Sequence, residues 1–397
     1  MFLTPDEREM LNGAQGRSSQ KAMQILVALG EIYGARRMIP VRSVQVAGVS
    51  YDNLGEAGLQ FLAELADGGG RVRVPTTLNP AGMDIENWRT LGIPEDFAKA
   101  QLRVLEAFSR MGVTLTCTCT PYLVGNLPAA GEHLAWSESS AVCYANSVLG
   151  AYTNREGGPS ALAAALTGRT PEYCLHLVEK RQPGLTVVVE ATLAGSSDFG
   201  ALGKVIGDHI ALSKSIPYIR GIPSASLEEL KSLCASLATY GGAALFHIEG
   251  LSPEAGQLTA PGTELVVTRA DLETASHSLS SATSAEVDFV SLGCPHLSLD
   301  EIRRISQLLQ GKQVKKEFWI TTARHTRTLA ERLGYTQVIE AAGAKFAADT
   351  CCVVAPIQGR FKAMATDSAK ACYYASAKNK LKTLILPFDE VVKEALA

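Results

Sequence analysis

The sequence predicts a multi-domain α/β protein built from βαβ units with mostly parallel sheets. Three observations carry that prediction. From about residue 225 onward, short apolar runs alternate with helical patterns: Ala243–Ile248, Glu264–Val267, Phe289–Leu292 and Phe318–Thr321 are each followed by one. Parallel neighbours need a crossover connection, usually a helix, so this rhythm is that of a parallel sheet. The stretch VDFVSLGCPHLSLDEI, Val287–Ile302, reads as apolar strand, glycine turn and helix start, with Ser298, Asp300 and Glu301 at the helix end. Finally, 397 residues at 46% hydrophobic and 19% charged suffice for two or three domains with their own cores.

The elements follow in chain order. Thr4-Pro5-Asp6-Glu7 is a helix start signal, and the pattern stays helical to about Tyr33. Strand-like runs come at Ser43–Val49, Arg71–Val74 and Val113–Cys117, separated by helical segments at Gly55–Ala66 and Glu95–Met111. Ser137-Glu138-Ser139-Ser140 precedes a helical run that stops around Gly150, so a hydroxyl caps a helix there and leaves free backbone N–H groups. A turn over Thr153–Gly158 then leads through Pro159 to an alanine-rich helix, Ser160–Thr167. Gly and Pro at Gly221–Ser224, with the change of rhythm, mark a boundary. The expected organisation is one unit of residues 1–222 joined by 366–397, and a more regular βαβ unit over 223–365.

Charge and composition exclude several function classes. A net charge of −3 argues against broad nucleic-acid binding. No uncharged apolar run reaches the roughly 18 residues of a membrane span. The N-terminus, MFLTPDEREML, carries acids and a helix cap where a signal peptide would carry a basic region and an apolar core. A cytoplasmic chain is expected.

Nine cysteines are many for such a chain. The number is odd and no CxxC…CxxC pair is present, which weakens both a disulfide framework and a zinc ribbon. Buried, isolated thiols are the expectation for Cys143, Cys174, Cys234 and Cys372. Cys119, Cys294 and Cys351 share one setting, each at a strand end or turn with a proline within a few residues. Soft thiolates suit iron–sulfur or zinc. Spacing alone favours three unrelated core cysteines.

The segment Thr153-Asn154-Arg155-Glu156-Gly157-Gly158 is more specific. Glycines before a proline-started helix let a ligand approach its N-terminus, where the dipole, Arg155 and Asn154 suit a carboxylate or phosphate. The competing reading is two capped helices with Arg155 in a surface ion pair. Caps alone do not require Asn, Arg and Glu before two glycines, so a site is the better reading.

CTCTPYLVGN, ESSAV, YANSVLGA, TNREGGPSALAAALTGRTPEY, SLGCPH, DTC and VVAPI together resemble the aconitase X family. VAGVSYDNLGEAG, VPTTLNPAGMD and TDSAKACYYA extend the resemblance over essentially the whole chain. Tyr152 stands where the family has arginine, and Ala369 where it has glycine. The resemblance implies an aconitase-like fold of three layers around an iron–sulfur cluster, of 4Fe-4S type or found as 3Fe-4S, held by Cys119, Cys294 and Cys351. Cys117 and Cys352 are adjacent candidates for the same role. It further implies anion binding by Ser139, Ser140, Asn154, Arg155 and Lys370, with Glu138 or His296 as hydrogen-bonding or proton-handling groups.

The family has a long single-chain form, resembling cis-3-hydroxyproline dehydratase, and a two-chain form, resembling the archaeal-type phosphomevalonate dehydratase. This chain ends soon after TDSAK, without room for a swivelling domain of about a hundred residues. The two-chain form is therefore implied: a heterodimer whose small subunit brings the swivelling domain and the catalytic serine. The reaction would be loss of water from (R)-5-phosphomevalonate in isoprenoid biosynthesis, with iron as Lewis acid. Cis-3-hydroxy-L-proline dehydration and a non-catalytic iron–sulfur sensor are the alternatives.

Overall fold

A computed structural model describes all 397 residues. The first part of the chain runs α1 (Pro5–Leu11), α2 (Arg17–Ile32), β1 (Met38–Pro40), β2 (Val44–Val46), α3 (Tyr51–Asp67), β3 (Thr76–Leu78), α4 (Glu95–Arg110), β4 (Ala135–Trp136), α5 (Ser139–Ser147), α6 (Gly158–Thr167) and β5 (Arg169–Pro171). Its parallel sheet has the order β3-β2-β4, and β1 pairs antiparallel with β5. The second part, β6 (Leu185–Val189), α7 (Gly195–Ile210), β7 (Pro217–Arg220), α8 (Leu227–Tyr240), β8 (His247–Ile248), β9 (Glu264–Val267) and α9 (Arg269–Ser278), forms a parallel sheet of order β8-β7-β6-β9.

The third part contains β10 (Phe289–Leu292), α10 (Leu299–Leu309), β11 (Glu317–Thr322), α11 (Arg324–Arg332), α12 (Tyr335–Ala341), β12 (Lys345–Ala348), β13 (Ala363–Thr366), α13 (Ala369–Ala377), β14 (Lys382–Ile385) and α14 (Phe388–Leu396). Its five parallel strands lie in the order β12-β11-β10-β13-β14. β10 and β13 are buried at every position, as expected when helices cover both faces of a parallel sheet.

The expected division at residue 222 falls inside the four-stranded sheet, because β6 and β7 pair across from β8 and β9. Gly221 is a strand-to-helix turn, not a linker: its φ is +89°, and a Cβ there would lie 2.2 Å from the Val189 carbonyl oxygen. Residue 366 likewise ends β13, which pairs with β14 on its far side. Hydrogen bonding thus divides the chain near 180 and 280.

Strand order decides where a ligand goes. In open α/β sheets the crevice lies outside the carboxyl ends of the strands where the order reverses. In the third part the reversal is between β10 and β13, whose ends are Gly293-Cys294 and Asp367–Lys370. In the first part it lies between β2 and β4, and Glu138 follows β4. These two switch points meet. One buried cluster joins Met83, Trp88 and Leu91 of the first part to Phe289, Trp319 and Met364 of the third. Another joins Trp136 and α5 to the second part.

The turn after β10 requires glycine. Gly293 has φ +110°, and a Cβ would sit 2.1 Å from the Thr321 carbonyl oxygen. Gly359, with φ +79° and nothing within 4 Å, has only the backbone constraint. Gly359→Ala is therefore expected to cost roughly 1–3 kcal/mol, whereas Gly293→Ala should leave little soluble protein. Soluble yield and thermal midpoints of the two variants measured together check this; equal effects would show that the Thr321 contact relaxes.

Candidate active site

Cys119 and Cys351 are buried and Cys294 is partly open, and the three come from three segments of the chain. Cys119 follows Thr118, whose N–H donates to the Leu78 carbonyl at the end of β3 (2.9 Å). Cys294 lies one residue beyond Gly293 after β10, and Cys351 lies just past β12. Each thiol feels the charge of Lys370, and Cys119 and Cys294 each feel Cys351. Burial pushes all three up, Cys119 to about 12, while Lys370 opposes the rise. The adjacent cysteines are enclosed in hydrophobic clusters, although Cys352 still lies near Cys294. Cys117, at φ +43°, packs into the core of the first part. Cys352 packs with Trp88, Phe289 and Trp319 and interacts with Ser291.

No three His, Cys, Asp or Glu side chains converge where a single metal ion would sit. A cluster makes a different demand. Each thiolate bonds its own iron, so the sulfurs surround a space and do not meet at a point. The donor set fits that demand: three thiols grouped around one cation, with the buried Thr350 hydroxyl beside Cys351 left without a partner.

Glu138 and Lys370 form a buried ion pair beside Cys119. Glu138 caps α5, and its carboxylate also accepts from the Ser140 hydroxyl (2.8 Å), the Ser140 N–H (3.2 Å) and Asn79 Nδ2 (3.1 Å). Burial would raise its pKa, but the Lys370 charge and these donors outweigh that and hold it at about 2. The Lys370 ammonium is correspondingly held well above its ordinary value: burial would lower it, and Glu138 overcomes that. Glu138 is thus a fixed carboxylate, suited to accepting hydrogen bonds and poorly suited to carrying a proton near neutrality. Ser140 and Lys370 direct donors inward to it, and Ser139 opens the first turn of α5 alongside.

The TNREGG segment extends the first sheet. Arg155 bridges to Trp136, and the Glu156 N–H donates to the Trp136 carbonyl (2.9 Å). Arg155 therefore lies at the strand-end edge that carries Glu138, and it is exposed. Asn154 has a different role from that expected. Its Nδ2 donates to the Tyr173 carbonyl (3.1 Å) and its Oδ1 accepts from the Leu175 N–H (2.9 Å), so its amide pins a turn and is not free for an anion. Gly158 is close to β2: a Cβ there would meet the Ala47 carbonyl oxygen at 2.7 Å. Tyr152 lies under the buried Arg181 guanidinium, 4.2 Å from it, away from this edge.

His296 is fully buried, with both ring nitrogens engaged. The helix cap behind it is Ser298, whose side chain accepts from the Glu301 N–H. Burial lowers the His296 pKa to about 4, with the charge of Lys231 adding to the effect, so the ring is neutral. Both ring nitrogens are thus committed to hydrogen bonds, the first of the two roles expected of it. Cys174 departs from the expectation of a buried thiol: it is exposed, at φ +47°.

Sequence reasoning passed over Asn79, Asp84, Lys231 and Asp367. Asp84 is fully buried and accepts from the Ala348 N–H (3.0 Å) and Arg324 (3.1 Å), tying the first part to the strand before Cys351. Asp367 accepts from the Ser196 hydroxyl (3.0 Å), and burial, with Glu301 nearby, raises its pKa to about 6. The quoted motifs contained Asn79, Asp84 and Asp367, but nothing local distinguishes such residues from loop polar groups. No helix is long and apolar enough to cross a membrane.

Comparison with known proteins agrees with this geometry. Residues 1–179 match the Aconitase X first domain, 183–277 the second and 287–397 the third, the same three parts that the sheets define. The phosphomevalonate dehydratase large subunit of Methanothermobacter thermautotrophicus is 48% identical over 377 residues, 94% of either chain. The crystal structure of Thermococcus kodakaraensis aconitase X (holo-form) superposes with a TM-score of 0.93 at 42% identity, covering 100% of both chains. The cis-3-hydroxy-L-proline dehydratase of Hypocrea jecorina is 36% identical over 389 residues, 94% of this chain but 65% of that one. With three domain matches spanning nearly all of its length and strand ends from separate parts that bring the thiols near one another, the chain belongs to the aconitase X family.

Proposed function

We propose that this chain is the cluster-bearing large subunit of a dehydratase that removes water from (R)-5-phosphomevalonate to give trans-anhydromevalonate 5-phosphate. The observation that supports this reading most is the grouping of Cys119, Cys294 and Cys351, from the ends of three different strands, around Lys370, which follows a switch-point strand. Those three thiolates would hold an iron–sulfur cluster. When bound, it supplies a Lewis acid for the charge that gathers as a proton leaves the carbon next to a carboxylate. The chain's own residues do the positioning. The Glu138–Lys370 pair keeps a fixed dipole beside the thiols, and Ser140 and Asn79 lock its geometry. Arg155, at the exposed edge, and Ser139, buried in the first turn of α5, hold the anionic ends of the substrate so that orientation precedes proton transfer. The base is a serine of a separate small subunit.

The 48% identity to the phosphomevalonate dehydratase large subunit, against 36% to the cis-3-hydroxy-L-proline dehydratase, favours this substrate over hydroxyproline. Arg155 tests the reading. Lysine keeps the charge but lacks the planar fork that grips an oxyanion through two bonds. Arg155→Lys is expected to leave folding and iron content unchanged and to lower turnover of the reconstituted two-chain enzyme on 5-phosphomevalonate by about tenfold or more, since a charged hydrogen bond contributes roughly 1.5–3 kcal/mol. Steady-state kinetics identical to wild type would remove Arg155 from the site. Turnover of cis-3-hydroxyproline by the same preparation, with none of 5-phosphomevalonate, would replace the substrate.

A further inference from the structure

His296 touches all three cysteine loops. Its backbone N–H donates to Cys119 Sγ (3.2 Å). The ring Nε2 lies 2.9 Å from the Thr350 carbonyl oxygen, next to Cys351. A carbonyl can only accept, so Nε2 carries the hydrogen and Nδ1 is left as an acceptor. Nδ1 lies 2.9 Å from Thr118 Oγ1, next to Cys119, so the threonine hydroxyl donates. The third loop is its own, two residues after Cys294. Its carbonyl accepts from Lys231 Nζ (3.0 Å), a 2% exposed lysine on α8 whose other partner is Glu301 (2.6 Å). His296, Thr118 and Thr350 are all fully buried.

A neutral imidazole offers one donor and one acceptor on opposite sides of a rigid ring, and here each side meets the residue that precedes a different thiol. Because the bonds close among protein groups alone, they can set the spacing of the loops before any iron arrives. We propose that His296 is a positioning residue which, with Thr118, holds the three cysteine loops at the spacing a cluster requires. This rests on the assignment of Cys119, Cys294 and Cys351 as the cluster thiolates.

The test compares wild type, His296→Phe, His296→Gln and Thr118→Val, each reconstituted anaerobically with ferrous iron and sulfide. Iron release to a chelator is followed by visible absorbance, with thermal midpoints recorded in parallel. Partners behind metal ligands typically contribute roughly 10–100-fold to metal affinity, so His296→Phe is expected to release iron at least about tenfold faster than wild type. Glutamine also carries a donor N–H group and an acceptor oxygen, and His296→Gln should recover most of that loss. Thr118→Val, which removes the hydroxyl that donates to Nδ1 and also accepts from the Thr120 N–H (3.2 Å), should speed release as well. Release at the wild-type rate from His296→Phe would overturn the proposal, as would failure of glutamine to rescue. Should the phenylalanine variant not fold, wild-type release from Thr118→Val would overturn it equally. If wild type takes up no iron and sulfide, the cluster assignment itself falls, an outcome distinct from uptake without any difference among variants.

Discussion

Lys370→Met is expected to destabilise the folded chain by roughly 3–5 kcal/mol and to abolish turnover, the destabilisation being the usual cost of leaving one member of a buried ion pair uncompensated. Lys370 and Glu138 are both within a tenth of full burial, so water cannot replace the lost partner. Ser140 and Asn79 would still donate to the carboxylate, but neither brings a charge. Glu138 would then have to take up a proton or open the turn before α5. The Lys370→Met, Glu138→Gln double variant removes both charges and is expected to regain most of the stability while remaining inactive. Urea midpoints of the four proteins in this cycle give the coupling, and activity of the reconstituted enzyme gives the second readout. A single Lys370→Met variant within about 1 kcal/mol of wild type would place the pair among weak surface bridges and remove the reason for its position beside the thiols.

The parts of this site that sequence made legible are those with a local chemical signature. Ser298 with Glu301 is a capping box, and α10 starts where it predicts. β9 and β10 run as their apolar runs suggest, Glu264–Val267 and Phe289–Leu292. Arg71–Val74 fails as a strand because Val72 and Arg73 donate to Met111 and Ala165, in crossing contacts that form no ladder. The true strand, Thr76–Leu78, has three residues, too few for a period of two to show. β4 and β8 have two each.

The misplaced division at 222 has the same origin. Glycine and proline mark both linkers and strand-to-helix turns, and only pairing across the sheet separates the two. Asn154 and His296 illustrate the other limit. Sequence identifies a side chain able to hydrogen-bond, but its partners, Leu175 and Thr350, are settled by the fold. A residue flagged for function can therefore prove to be structural support close to the site.

Cysteine-to-alanine replacements are expected to separate into two classes. Cys119→Ala, Cys294→Ala and Cys351→Ala should each lose the brown colour and near-visible absorbance of the anaerobically reconstituted protein, and the triple variant should lose them entirely. Cys117→Ala and Cys352→Ala should keep the absorbance and instead lose stability, by roughly 0.5–3 kcal/mol, the common range for a core substitution. Geometry supplies the reason. Cys117, with its left-handed φ, turns its sulfur into the core with Val46, Leu78 and Ala81, while Cys119, two residues on, receives the His296 N–H and faces Lys370. Cys352 is enclosed with Trp319 and Ala371, whereas its neighbour Cys351 feels Lys370 and Glu138. Cys119 and Cys351 thus share Lys370 as a neighbour, whereas Cys117 and Cys352 are members of hydrophobic clusters. Iron and sulfide content per chain, absorbance and thermal midpoint measured on all five single variants decide the matter. Full absorbance in Cys119→Ala together with its loss in Cys117→Ala would reverse the assignment on that loop, and the same exchange between Cys351 and Cys352 would reverse it on the other.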